Sequence, residues 1–475
     1  MKRFRIWIVL AGMAFHFNGY SQDSSAHNLN LKQCIDLAIQ NNLQVKQSEI
    51  QMQTNAVQFK QAKDNLLPQI NGVASQGINY GRSINNFNNT YVDQQNNSGN
   101  YSVNASLVLF SGLQMQNAIR QNALNYNAGK MDWQQQKDNI SLNVILTYLM
   151  VLSNQDLLDI ARQQADVDAR QVERLEIQNR AGSIAPATLY DLRGQYANDQ
   201  VNIVNAVNAL ETSKVNLFAL LNIPYQKDAV YQMVSLDANT LQYGGSSDSI
   251  FQSALQNIPT IKAADLRVQS FEKGVAVARG KLYPTLYFYG NINSNYTSIA
   301  TSGIPGTEFK SATGQFVDIG ATSYDVQAFS NLQQKISFGN QFKNNRYESI
   351  GLQLNIPILN YLSARNNIKL AKINLQNAKV LANASRNQLQ QLVEQAWQNM
   401  NAAYGQYKGY LDQVKAYGES FRTAEIRFNN GAITSVDYVI AKNNYDRANT
   451  NLTAARYNYI FRTKILDYYQ GRLTW

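Results

Sequence analysis

Histidine and cysteine, the side chains that do most nucleophilic and metal chemistry near neutral pH, are almost missing from this chain. Of two histidines, His16 falls in an apolar leader and only His27 follows it; the one cysteine is Cys34. One imidazole and one thiol cannot supply the three or four ligands of a zinc site or a nucleophile with an oriented base, and no glycine-rich phosphate loop occurs. The chain is therefore expected to be no enzyme, with no cofactor and no metal centre. Cys34 has no partner for an internal disulfide and lacks the small apolar context of a lipoprotein cleavage site, so it is expected to be a buried, idle thiol.

The elements around these residues explain the compartment. Lys2, Arg3 and Arg5 precede an apolar run from Ile6 to Phe17, and small residues follow at Gly19 and Ser21. This is the pattern of a secretory signal peptide over residues 1–21, and its apolar run falls short of the ~20 residues that span a bilayer. No later run is expected to cross a membrane as a helix. Without the three basic residues of the leader, the net charge of +10 falls to +7, spread along helical runs. Nucleic acid is not an expected partner, because it would call for a basic stripe with stacking aromatics. Only 16% of residues are charged, so the surface is polar rather than charged.

The chain repeats itself. AGSIAPATLYDLRGQY from Ala181 returns as NGAITSVDYVIAKNNY from Asn430, with Gly182 matching Gly431, Ile184 matching Ile433 and Tyr196 matching Tyr445 at an offset of 249. Earlier in each half, Lys46, Pro68 and Tyr80 match Lys262, Pro284 and Tyr296 at an offset of 216, which places about 33 extra residues between Tyr296 and Ile350. The expected organisation is two long repeats, residues 22–248 and 249–475, rather than a solenoid of ~20–50-residue units. In both copies of the motif a glycine stops a long helical run and helical periodicity resumes at once, so each copy is expected to be the tip of a helical hairpin.

Each repeat reads as helix, two strands, then that hairpin. A helical pattern from Leu31 ends at Pro68, and period-two alternation follows at Ile70, Ala74, Ile78 and Tyr80, then at Tyr101, Val103, Ala105, Leu107 and Leu109. The second half alternates at Leu286, Phe288, Gly290 and Ile292, and from Ile350 to Ile358. Segments of about ten residues, apolar on alternate positions, are the signature of an outer-membrane β-barrel. Four strands cannot close one, and open edges in lipid leave backbone groups unsatisfied, so the barrel must be shared between subunits. Gly112 to Gly182 contains no proline and carries Leu142, Ile145, Leu149 and Leu152 at helical spacing; Ser249 to Lys281 forms a further helical run. The C-terminal arm keeps a coiled-coil seam at Leu452, Ala455, Tyr459, Arg462, Leu466 and Tyr469, and Trp475 reads as a helix-end aromatic.

Signal peptide, duplicated strand-strand-hairpin halves and two glycine-centred tips together resemble the TolC-like outer-membrane efflux proteins over essentially the whole mature chain. Leu107-Val108-Leu109-Phe110-Ser111-Gly112 and Ile356-Pro357-Ile358-Leu359-Asn360-Tyr361 look like that family's strand-to-helix segments, with Tyr361 in place of the usual glycine. The resemblance implies a mixed α+β membrane protein: a homotrimer with a twelve-stranded outer-membrane barrel, four strands per chain, continuous with a periplasmic coiled-coil α-helical tunnel. It implies a passive outer-membrane channel of a tripartite efflux or type I secretion system. Its expected partners are an inner-membrane pump, a periplasmic adaptor and outer-membrane lipid. The alternative is an exported coiled-coil structural or adhesion protein, which leaves the alternating segments and the duplication unexplained.

The resemblance also implies site residues. Ser435-Val436-Asp437-Tyr438-Val439-Ile440 is similar to the family's periplasmic gate motif and keeps Asp437, whereas the second acidic position is Ile440; the matching position of the first half is Asp191. In a trimer, Asp191 and Asp437 would form two rings of three carboxylates that attract cations. The tips, Gly182, Ser183 and Ile184 with Gly431, Ala432 and Ile433, are the implied adaptor-docking residues. Ile433 stands where some members carry a basic clamp.

Overall fold

A computed structural model describes residues 28–85, 90–93, 95–233 and 243–472. The leader, His27 and Trp475 lie outside the described residues. The elements of the first half are β1 (Asn28–Leu29), α1 (Leu31–Asn41), α2 (Leu43–Asp64), β2 (Gln69–Asn79), β3 (Arg82–Asn85), β4 (Thr90–Asp93), β5 (Asn96–Phe110), α3 (Gln114–Arg180), α4 (Pro186–Leu221) and β6 (Val230–Tyr231). Those of the second are α5 (Ser247–Asn257), α6 (Pro259–Gly280), β7 (Thr285–Thr297), β8 (Thr301–Ile319), β9 (Thr322–Lys335), α7 (Phe338–Asn344), β10 (Tyr347–Asn355), α8 (Ser363–Asn429) and α9 (Ser435–Tyr469). The chain forms two compact units, one holding residues 28–47, 136–257 and 390–472, the other 48–135 and 258–389.

The first unit is helical, with a short parallel pairing of β1 and β6. Two expected continuous helices are interrupted. The run from Leu31 breaks at Asn42, whose ψ is 130°. That residue closes α1 through its amide to Ala38 O (2.8 Å), opens α2 by accepting from the Gln44 amide (2.9 Å), and donates its side chain to Leu220 O (3.2 Å). Asn222, in the left-handed conformation that ends α4 (φ 52°), donates back to Asn41 O (3.2 Å). Side-chain amides thus replace the backbone bonds that a helix end leaves open. The run from Ser249 to Lys281 breaks at Ile258, before Pro259, because proline lacks the N–H and clashes with the preceding turn unless it stands at the start of a helix.

Cys34 is fully buried, and burial pushes its thiol up to about 12. Of the seam expected on α9, Ala455, Tyr459 and Leu466 are buried. Tyr457 and Tyr468 are buried as well, off that seam, with the Tyr457 hydroxyl donating to Asp156 (2.7 Å). One expectation is corrected. α3 does contain an 18-residue stretch long and apolar enough to cross a membrane by composition, and 44% of it is buried inside the protein. Tyr148, Val144 and Val151 on that stretch are fully buried, so its apolar character has a use in helix packing.

The second unit holds the four-stranded sheet in the order β10-β7-β5-β2, antiparallel throughout. Its register separates two faces, since paired residues point the same way and neighbours along a strand alternate. Ala74, Tyr101 and Ser294 share one face with Val103, Ile292, Phe288, Ile350 and Leu352. The other carries Asn71, Ser102, Asn104, Asn291, Asn293, Ser349 and Gln353. One face is apolar and, outside the part that α7 covers at Tyr101 and Ser294, largely exposed; the other is amide-rich. β10 ends at Asn355, short of the expected Ile358, because Pro357 cannot donate to a ladder. β2 and β10 are the open edges.

Where β5 hands over to α3, Gly112 (φ 62°) faces Gly280 so closely that a Cβ on Gly112 would stand 2.5 Å from Gly280 O. The equivalent turn before α8 bends without glycine: Tyr361 and Leu362 take φ of 55° and 59°, and Tyr361 is almost wholly exposed. The extra residues between Tyr296 and Ile350 form the β8–β9 hairpin and α7. Every charged residue of the two strands, Glu308, Lys310, Asp318, Asp325 and Lys335, falls on one face of that hairpin by its register.

Candidate gate at the helix tips

Both tips are built by the same backbone device. α3 ends with Ser183 N bonding Gln178 O (3.0 Å) and Gly182 N bonding Asn179 O (3.0 Å); α8 ends with Ala432 N to Arg427 O (2.8 Å) and Gly431 N to Phe428 O (3.0 Å). This pairing requires a left-handed residue, supplied by Gly182 (φ 68°) and Gly431 (φ 70°). The return helices start differently. α4 opens on Pro186 with no side-chain cap, whereas α9 opens on a capping box between Thr434 and Asp437. Beneath the turns, Val172, Leu175, Leu189, Leu192, Phe428 and Tyr438 form a core against which Ile184 and Ile433 pack. Phe428 and Tyr438 stack at 4.7 Å. Of the tip residues singled out in the sequence, Gly182, Ser183, Gly431 and Ala432 are exposed, while Ile184 and Ile433 are half-buried. Ile433 completes the core in place of a basic side chain.

The two aspartates are exposed and differently held. Asp191 accepts from the Ser435 hydroxyl (2.7 Å), tying α4 to the first residue of α9. Asp437 accepts from the Thr434 hydroxyl (2.8 Å) in its own capping box. It also lines a crevice of about 670 Å³ with Glu419, Thr423, Arg427 and Ile433. Among the described residues, no group of three or more acidic, histidine or cysteine side chains is placed to hold a metal within this chain. Exposed carboxylates at helix starts gain from the dipole and draw mobile cations to their end of the molecule.

One turn further along α9 lies a feature that the sequence reading missed. Lys442 is 1% exposed, and its ammonium stands 3.1 Å from Asp168 on α3, 3.1 Å from Asp199 on α4 and 2.7 Å from Asp446 on α9. Gln195 donates to Asp199 (3.1 Å) and to Asn443 (3.1 Å), extending the network across α4 and α9. Asp168 is fully buried, and neither of its oxygens is aligned for a hydrogen bond despite the nearby ammonium. Burial pushes Asp168 up to about 7 against the pull of Lys442, and Asp199 adds to the rise. Burial also raises Asp446. Burial acts to lower Lys442, but the three aspartates outweigh it and hold the ammonium above its usual range. One cation thus ties three helices together, with an excess of carboxylate.

The signal was present in outline. Asp168, Val172 and Leu175 are spaced as a seam, Asp199 follows Leu192 by a heptad, and Lys442 follows Tyr438 by four. Charges on an apolar stripe are costly unless paired.

A pH dependence follows. Asp168 binds its proton more tightly in the folded chain than an ordinary carboxyl near 3.8 does, so the folded state holds more protons across that interval. Its contribution therefore falls as pH rises from about 4 to about 7 and is level above that. Hydrogen exchange of amides near Asp168, Asp199 and Lys442 should show protection declining through this window, and Asp168→Asn should flatten the decline.

Known proteins of similar sequence and fold bear on this arrangement. A family model described as "Outer membrane efflux protein" matches residues 34–222 and 250–464. The chain is 22% identical over 455 residues to the outer membrane protein TolC of Escherichia coli (strain K12), covering 95% of this chain and 83% of that protein. It is 23% identical to the Vibrio cholerae TolC over 451 residues, covering 90% and 93%. Among solved structures, the outer membrane protein VceC of Vibrio cholerae superposes with a TM-score of 0.70 at 14% identity, covering 93% of this chain and 96% of that one. The open-state MtrE outer membrane channel of Neisseria gonorrhoeae does so with 0.69 at 16% identity, covering 94% and 89%. With both halves matched, the chain belongs to the outer membrane efflux protein family, and its place is the outer membrane, with its long helices in the periplasm.

Proposed function

We propose that three copies of this chain join their four-stranded sheets into one twelve-stranded barrel and form a passive export duct. The observation that carries this reading is the sheet, which has one apolar face, one amide-rich face and two unpaired edges, β2 and β10. An open edge in lipid leaves backbone groups without partners, and pairing β2 of one copy with β10 of the next removes every edge. The apolar face then meets lipid and the amide-rich face lines water. The helices extend this passage into the periplasm as a tunnel. An inner-membrane pump would load the duct through a periplasmic adaptor seated at Gly182, Ser183, Ile184, Gly431, Ala432 and Ile433, and Asp191 and Asp437 would ring its narrow end.

No group here needs to do chemistry for such a function; the duct acts by shape and field. The test is genetic. Deleting the gene should make cells retain a set of exported compounds or polypeptides, and the wild-type gene should restore their release. Unchanged release of every exported compound after deletion would remove the reading's main support.

A further inference from the structure

On the apolar face of the sheet, about midway along its strands and beside α7, lies a groove of about 450 Å³ lined by Gly72, Ala74, Tyr101, Val103, Ile292 and Phe342, and by Arg346. Its floor is open because Gly72 has no side chain: nothing lies within 4 Å of where a Cβ would stand. Its wall is fixed. α7 lies against the sheet through Ser294 donating to Phe342 O (2.8 Å) and Asn345 donating to Asn295 O (2.9 Å). Phe338 and Phe342 pack edge-on to Tyr101 at 5.8 and 5.7 Å, and Phe338 packs on Tyr296 at 5.2 Å.

We propose that this groove holds one acyl chain of an anionic, phosphate-bearing lipid of the outer leaflet, with the headgroup at Lys343 and Arg346. The inference rests on the reading that the apolar face meets the membrane. Three observations favour a lipid over other occupants. The groove is continuous with the apolar face, its volume lies within the ~300–1,000 Å³ range of small-ligand sites, and the side chains that line it on this face are apolar apart from Arg346 and Ser294, whose hydroxyl is taken up by Phe342 O. Aromatic rings of Tyr101, Tyr296, Phe338 and Phe342 gather on its α7 side, as they do where a barrel wall crosses from hydrocarbon to headgroups. Charge favours an anion on this side: Arg346 lines the groove and pairs with Glu348, Lys343 is exposed on α7, and residues 338–348 carry a net charge of +1. A phosphate can compete with Glu348 for the guanidinium, whose fork suits both.

The test is native mass spectrometry of the full-length protein in detergent, titrated with phosphatidylglycerol or phosphatidylcholine. Wild type should retain one phosphatidylglycerol per chain and prefer it at least tenfold over phosphatidylcholine. Gly72→Leu should fill the groove and lower retention tenfold or more. Gly77→Leu should change nothing: it lies on the same strand but on the opposite face by register, also with open space around it. Lys343→Gln with Arg346→Gln should abolish the preference between the two lipids while leaving the groove open. Equal retention by wild type and Gly72→Leu would overturn the site, and an equal affinity of wild type for both lipids would overturn the anionic headgroup. Retention is counted per chain, and the same spectra give the mass of the assembly. A monomer would therefore count against the shared barrel, separately from the lipid result.

Discussion

Replacing Lys442 by Met should destabilise the tip by about 3–5 kcal/mol, the usual cost of removing one partner from a buried ion pair. Met fills similar space, so the loss comes from charge: Asp168, Asp199 and Asp446 would face one another with no cation among them. A buried ammonium is not itself a strong source of stability, because desolvation cancels much of its attraction. Breaking the set is what costs. Hydrogen exchange of peptides covering residues 160–200 and 430–450 should show protection collapse in Lys442→Met, with a smaller effect near the sheet. Asp168→Asn in the same background should recover part of the loss by removing one unpaired carboxylate. A change below about 1 kcal/mol would mean that water reaches the cluster and that it has no part in holding α3, α4 and α9 together.

The second large effect concerns conduction. If Asp191 and Asp437 ring the narrow end of a trimer, each stands near like charges from the other copies, and multivalent cations are favoured there because they neutralise several carboxylates at once. Replacing both by Asn keeps size and much of the hydrogen bonding to Ser435 and Thr434 while deleting six charges per trimer. In planar bilayers the doubly substituted protein should lose block by divalent cations added on the periplasmic side and should shift away from cation selectivity. Thermal stability should change little, since both side chains are exposed. Equal block and selectivity in wild type and variant would reduce the pair to solvated helix-start aspartates.

These two predictions differ in how far a single sequence could reach them. Strands with one buried or lipid-facing side alternate with period two, so β2, β5, β7 and β10 could be placed from Ile70, Val103, Phe288 and Ile350 before any register was known. The tips were legible because glycine is the residue that can end a helix in the left-handed region. The insertion between Tyr296 and Ile350 was legible as length but not as structure. β8 shifts register between Gly303 and Glu308 by an odd number of residues, so its alternation loses phase there. Asn42 escaped notice because its part in the helix break depends on Leu220, far along the chain. Lys442 escaped for the opposite reason: a lysine four residues before an aspartate reads as an ordinary solvated pair, and only the arrival of Asp168 and Asp199 from two other helices makes it a buried one.

The lipid groove was hidden for a similar reason. Gly72 in β2 reads only as a weak strand position. The space it leaves acquires walls only when β5 and β7 bring Tyr101 and Ile292 alongside and α7 brings Phe342.

On the proposed assembly, the four strands of one chain are a third of a barrel that only three copies close. The most direct measurement is the mass of the detergent-extracted, full-length protein by light scattering, with β-structure followed by circular dichroism. The account predicts a trimer that survives dilution with its strands intact, since separation would expose β2 and β10 in each copy. A monodisperse monomer that keeps its β-structure would contradict it.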